Sequence, residues 1–131
     1  MFKIYISPRF GEIDVLGHIN NTAPSAWFEQ ARNPFFKIFS PDLNINHETW
    51  PLIMAHTDFD FISEMFLGYD VEIRSMVSRI GNKSFTIYHE AWQREKLCVK
   101  GNAVIVYYNF LAKQSEPIPE DIKRILEEHK I

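Results

Sequence analysis

The chain has 131 residues, 46% of them hydrophobic, with eleven Phe, five Tyr and three Trp; this suffices for one domain spanning 1–131 with a real core and excludes a disordered chain. A formal charge of -3, with its 14 basic residues scattered, gives no electrostatic footprint for nucleic acid. No stretch approaches the roughly 20 apolar residues of a membrane span, and the lone cysteine, Cys98, rules out an intrachain disulfide and fits a reducing, cytoplasmic setting.

At the N-terminus Phe2, Ile4 and Ile6 alternate with Lys3, Tyr5 and Ser7, the period of a half-buried strand rather than the apolar block of a targeting signal. From Asn21 to Phe39 the period changes: Ala23, Trp27, Ala31, Phe35 and Ile38 recur at helical spacing, and Phe28 and Phe36 widen the apolar surface, as in a helix that is mostly buried. Pro24 suits its first turn, and Asn20 or Asn21 suits the cap. Pro34 would remove a helical hydrogen bond and crowd the Gln30 carbonyl, so a kink or break is expected there. The stretch "SPDLNINHETWP" reads as a loop.

Beyond residue 52 the signal is strand. Phe59 and Phe61 alternate with Asp58 and Asp60; Val71, Ile73 and Val77 share a face; Phe85, Ile87 and Ala91 do so after the "GNK" turn. "LCVKGNAVIVYYNF" follows the charged turn "REK", so the last two strands form a hairpin. "PIPEDIKRILEEHKI" closes the chain as a short helix, with Pro119 in its first turn and Ile122, Ile125 and Leu126 on one face. The expected class is α+β, with one long helix laid on a five-stranded antiparallel sheet that curls to cover it.

Between the first strand and the helix lies "RFGEIDVLGHINNTAPSAWFEQAR", where two carboxylates, a histidine and two asparagines crowd together. A helix N-terminus offers unpaired N–H donors and the positive end of the dipole, which makes the segment around Asn21 a natural site for a developing oxyanion. Gly17 allows close approach of backbone to a ligand. Asp14 alternatively serves as a turn residue, and Asn20 and Asn21 as caps.

"FGEIDVLGHINN" followed by "WFEQAR", with the later "FLGYDVEIRSMVSRIGNKSFTIYHEAW", resembles the hotdog-fold acyl-CoA thioesterases of the 4-hydroxybenzoyl-CoA thioesterase-like group. The resemblance implies a hotdog fold, a curved sheet wrapped around residues 21–39, subunits paired as homodimer or homotetramer, and acyl-CoA as small-molecule substrate with no further cofactor. It puts Asp14 in the position of the catalytic carboxylate, as general base or nucleophile, and His18 in that of the histidine of the Asp-x-x-Gly-His form. Asn21 falls where a backbone N–H polarises the thioester carbonyl, with Gly17 and Asn20 beside it on the substrate. Arg79 and Lys83 fall near the CoA phosphates. Leu16 stands where the acyl carrier protein branch often has Asn. A hotdog hydratase and a module that binds acyl-CoA without turnover are the alternative functions.

Three further groups read as structural. Glu29 and Arg32, three apart on the helix, are expected to form an ion pair. His56, Asp58 and Asp60 share a strand face without any metal-ligand spacing beside them. Cys98 reads as a small buried hydrophobe, and no metal site is expected.

Overall fold

The computed structural model describes residues 1–46 and 48–131. Elements follow in the expected order: β1 (Phe2–Ile6), a 3-10 turn at Phe10–Glu12, α1 (Ala23–Ala31), α2 (Asn33–Phe39), β2 (Leu52–Phe61), β3 (Val71–Ile80), β4 (Ser84–Gln93), β5 (Lys96–Asn109), β6 (Gln114–Ser115) and α3 (Glu120–Glu127). Among the described residues the sheet runs β1-β3-β4-β5-β2, every neighbouring pair antiparallel, with the two-residue β6 added to the end of β5. This is the curled hotdog sheet, with the helical segment lying in its concave face. The loop expected at 40–51 is irregular where described, and His47 lies outside the described residues.

The long helix is bent into two segments, and proline chemistry explains the position of the bend. Each segment begins with a proline in its first turn, Pro24 in α1 and Pro34 in α2, where a missing N–H leaves no helical bond unmade. The Arg32 carbonyl then accepts from both Phe35 N (2.9 Å) and Phe36 N (3.1 Å), restarting the ladder after the break. α1 covers one apolar cluster, built on Trp27, Phe28, Ile73, Val71, Ala91 and Val99. α2 covers a second, built on Phe35, Val77, Phe85, Ile87 and Ile105 and closed from below by Leu126 of α3.

A polar belt crosses the core between the two clusters. Ser75 lies between Ile73 and Val77 on β3, His89 between Ile87 and Ala91 on β4, and Gly101 opposite His89 on β5. Arg32, at the bend, turns into this belt and is 5% exposed. Its Nη1 lies 3.5 Å from His89 Nε2, and Ser75 Oγ lies 2.7 Å from His89 Nδ1. A guanidinium has only donors, so Nε2 must be the acceptor and the ring proton sits on Nδ1, donating to Ser75. The Phe28 ring stacks on the imidazole at 4.7 Å, which is why β5 has glycine here: a Cβ on Gly101 would run into the Asp58 carbonyl and press on Phe28. The ion pair expected between Glu29 and Arg32 does not form; the bend rotates Arg32 inward, and Glu29 stays on the outer face.

Two smaller differences follow from register. α3 starts at Glu120, with the extended Pro119 as its cap residue, so Ile125 faces outward at 39% exposure while Leu126 is buried. β3 carries a bulge between Val77 and Arg79, and there the chain end docks, His129 O accepting from Val77 N and Ile131 N donating to Val77 O, both at 2.9 Å. On β2 a bulge between Met54 and His56 turns His56 toward Asp58, 3.0 Å away, whose other oxygen accepts from Asn102 N and Nδ2.

Burial and the neighbouring Arg32 charge push the His89 imidazole down from 6.5 to about 3. The folded protein keeps it neutral while the unfolded chain takes up a proton near 6.5, so the unfolded state binds more protons across that window and stability falls as pH drops through it. Urea midpoints measured between pH 7 and 3.5 should therefore fall less steeply for His89→Gln than for the parent; parallel slopes would show that His89 does not titrate between the two states.

Candidate active site

The polar segment between β1 and α1 is a knot of backbone hydrogen bonds. Asp14 N donates to His18 O (2.8 Å) and Gly17 N to Asp14 O (3.1 Å), while Asp14 Oδ1 accepts from Leu16 N (2.8 Å) and His18 N (3.1 Å). Gly17 closes this loop with φ +81, a conformation that carries no penalty for glycine. Its role is therefore in the turn, and it does not line the cavity described below.

The loop is fastened on two sides. Asn20 N donates to Glu12 O (2.7 Å), and the Glu12 carboxylate accepts from Arg9 N (2.7 Å) and from the Trp27 indole of α1 (2.9 Å). Desolvation pushes the Glu12 carboxyl up, but these donors outweigh it and hold it below the usual carboxylate range. Across the sheet, Ile19 N donates to Met65 O (2.8 Å), His18 pairs with Phe66 in an isolated antiparallel bridge, and the two rings meet edge to face at 5.3 Å.

These bonds decide which donors stay free at the start of α1. The N–H groups of His18, Ile19, Asn20, Thr22 and Ala23 all have protein acceptors, Thr22 N on Asn20 Oδ1 (3.1 Å) and Ala23 N on Asn20 O (3.0 Å). The cap position of α1 is Thr22, without a side-chain cap bond, so neither Asn20 nor Asn21 caps the helix as expected; Asn20 instead closes an Asx turn onto the Thr22 N–H just before it. Among the described residues the Asn21 N–H has no protein acceptor, and it sits one residue before the cap position of α1, where the helix dipole is positive.

A cavity of about 610 Å³ opens at this point, lined by Asp14, Leu16, His18, Asn20, Asn21 and Pro24 on one side and by Phe61 to Met65 and Val99 on the other. Four of the residues singled out from sequence, Asp14, His18, Asn20 and Asn21, therefore share one cavity. Asp14 and His18 make no side-chain hydrogen bond to each other; the imidazole Nε2 instead lies 3.4 Å from Glu64 Oε2. Glu64, in the loop after β2, carries no local sequence signal, since only the fold brings it to His18.

Within this single chain Arg79 and Lys83 are not brought to this cavity. They stand at the opposite end of the sheet, where Lys83 O accepts from Tyr107 N (2.8 Å). The strand run from Val99 to Tyr107, at about 3.3 Å per residue, separates them from the cavity by roughly 25 Å. Among the described residues no cluster of three His, Cys, Asp or Glu is placed to hold a metal ion, and no helix is long and apolar enough to cross a membrane. Cys98 is buried, its thiol pushed up by desolvation.

The fold and this site define a hotdog thioesterase-like domain, and residues 8–126 match the model of the thioesterase-like superfamily. The chain belongs to that superfamily. It is 42% identical to a predicted thioesterase from Bacillus stearothermophilus, with a TM-score of 0.94 over 99% of this chain and 96% of that one. A thioesterase from Thermus thermophilus, solved in complex with coenzyme A and Zn, shares 26% identity and a TM-score of 0.82 over 95% of each chain. The uncharacterized protein YsmA of Bacillus subtilis (strain 168) is 28% identical over 102 residues, covering 77% of this chain and 68% of its own length.

Glu12 ties the loop to α1, so its carboxylate should matter more than its exposure suggests. Glu12→Gln keeps one acceptor for two donors and should lower stability by about 1 kcal/mol while speeding amide exchange at residues 14–20. Exchange at the parent rate would show that the knot holds without the Trp27 bond.

Proposed function

We propose that the chain hydrolyses acyl-CoA thioesters to a free acid and CoA, with no cofactor beyond the CoA of the substrate. The observation that supports this most directly is that Asp14 and Asn21 line one cavity, and that among the described residues the Asn21 N–H has no protein acceptor. Thioester hydrolysis needs both: an oxygen nucleophile for the carbonyl carbon and a donor for the negative charge that builds on the carbonyl oxygen. The Asn21 N–H at the head of α1 takes the oxyanion. Asp14 has one oxygen held by the Leu16 and His18 amides and the other left for chemistry. As general base it removes a proton from a water whose oxygen bonds to the carbonyl carbon; as nucleophile it forms an acyl anhydride that water then opens. In either route the C–S bond breaks and the CoA thiolate leaves and is protonated. The coenzyme A held by the Thermus thermophilus relative supports CoA as the carrier.

Asp14→Asn tests the assignment because the amide oxygen still accepts the two turn N–H groups. Turnover on a good acyl-CoA substrate, followed by free-thiol release, should fall at least about a hundredfold with little change in melting temperature, and His18→Ala should lose less. Retention of more than about a third of the parent turnover would remove Asp14 from the chemistry. Binding of acyl-CoA without thiol release would instead identify a sensing module, and addition of water to an enoyl ester a hydratase.

We also propose that the active form is at least a homodimer. β2 is a ten-residue edge strand, and Ile53, Met54, Phe61 and Ile62 on or beside it are 39–55% exposed. Such an edge invites pairing with a second copy. Light scattering at micromolar concentration should give a multiple of 15.5 kDa; a stable, active monomer would overturn the proposal.

A further inference from the structure

The cavity that Asp14 and Asn21 line has two unlike walls. Toward solvent it ends on the exposed Phe61 and Ile62 and on Ser63 and Glu64, which it shares with a second cavity of about 400 Å³. Arg94 and Lys96 line that second cavity, and among the described residues neither has a carboxylate within ion-pair distance. Toward the core the first cavity ends on Ile19, Pro24, Met65 and Val99, all buried. This inner wall is rigid at every point but one. Pro24 is fixed in the first turn of α1, and Val99 pairs with both Phe61 and Ala91 in the sheet. Ile19 and Val99 are also β-branched and stiff at χ1. The Met65 backbone is held from two sides: its carbonyl accepts from Ile19 N (2.8 Å), and the buried Gln93 side chain donates to Phe66 O (2.7 Å) and Tyr69 O (2.9 Å) and accepts from Phe66 N (2.8 Å). Only the unbranched Met65 side chain, 4% exposed, can change rotamer without moving backbone. It packs in the same apolar cluster as Ala23, Trp27 and Phe28, and Phe28 is itself held between the Phe59 and His89 rings at 5.7 and 4.7 Å.

We propose that Met65 sets the length of the acyl group that the chain accepts. The inference rests on the thioesterase reading and adds to it a specificity residue and a substrate class: acyl groups that are apolar along their length and end against Met65. An apolar chain gains by leaving water only toward the buried wall, at about tenfold or more in specificity per methylene. The amide-bearing pantetheine arm keeps its solvation toward Ser63 and Glu64. An acyl group ending in a carboxylate would lose its hydration against Ile19, Pro24, Met65 and Val99, which offer no side-chain donor. A shorter side chain at 65 opens room toward Trp27 and Phe28, and a bulkier one closes it. Both leave the Asp14 loop in place, because Met65 gives that loop its carbonyl and not its side chain. A second copy paired along β2 would cover Phe61 and Ile62 at the mouth and leave this wall as it is, since its residues are buried within one chain.

The test measures kcat/KM on straight-chain acyl-CoA thioesters from acetyl to palmitoyl for the parent, Met65→Ala and Met65→Phe, with Met65→Leu as a volume-conserving control. Met65→Ala should move the preferred substrate to longer chains and raise the ratio of long to short at least about tenfold. Met65→Phe should move it to shorter chains, and Met65→Leu should keep the parent's profile. The same preferred length in all four proteins, or a loss that falls equally on every length, would overturn the proposal, since a merely structural role lowers all substrates together. Affinity for S-alkyl-CoA thioethers, which cannot be hydrolysed, is read by calorimetry and separates the two readings. Thioether affinity whose length preference shifts with residue 65, without thiol release from any ester, removes the thioesterase and keeps the wall. Hydrolysis by the parent with a profile indifferent to residue 65 does the reverse, and a parent that neither hydrolyses the esters nor binds the thioethers removes both. If melting curves show Met65→Ala or Met65→Phe unfolded, Met65→Val decides, with a smaller shift toward longer chains expected and an unchanged preference overturning the assignment.

Discussion

A charge buried at the bend of the helix governs the rest of the molecule. Arg32 has no carboxylate beside it in the core; its Nη1 faces a neutral imidazole, and its Nε is buried without a hydrogen-bond partner. Leaving a guanidinium so poorly paired opposes folding, and the arrangement persists because both apolar clusters depend on the bend that places Arg32 there. A straight helix from Ala23 to Phe39 would carry its apolar stripe away from the curled sheet before reaching Phe85 and Ile105. Breaking it at Arg32 lets α1 follow one half of the concave face and α2 the other. The direction of α1, and with it the position of the Asn21 N–H, is thus set about ten residues downstream, in a belt that lines neither cavity.

The other end of α1 is held by equally specific bonds. Glu12 reaches the Trp27 indole, Asn20 holds the N–H of the cap residue Thr22, and Ile19 and His18 pair with Met65 and Phe66 from the loop after β2. Three segments distant in sequence, around residues 14–24, 61–66 and 93–99, therefore meet through backbone or amide bonds and not through long charged side chains. Such contacts lose little on ordering. They fasten the segment that carries Asp14 and Asn21 to the sheet.

Much of this was legible in the sequence because period and turn chemistry act locally. The strand alternation of Phe2, Ile4 and Ile6, the helical recurrence of Trp27, Ala31 and Phe35, and the break at Pro34 all appear where the residues demand. The crowding of polar residues from Glu12 to Asn21 likewise marked the cavity, since four of its lining residues belong to that run. What was not legible depends on direction. Helical spacing brings Glu29 and Arg32 close but does not say which of them faces inward, and the bend turned Arg32 into the core. Glu64 and Gln93 reach the site only through pairing across the sheet. Which end of the sheet each turn occupies also comes only from strand register: within this chain "REK" at 94–96 lies at the cavity end and the Gly-Asn turn between Arg79 and Lys83 at the other.

The distribution of charge along the two joined cavities has a consequence for how a ligand enters. Asp14 and Glu64 place carboxylates at one end and across the shared wall, while Arg94 and Lys96 place unpaired cations at the other. A ligand whose two ends differ in charge therefore meets complementary potential in one orientation only, because reversing it would set its anionic end against Asp14.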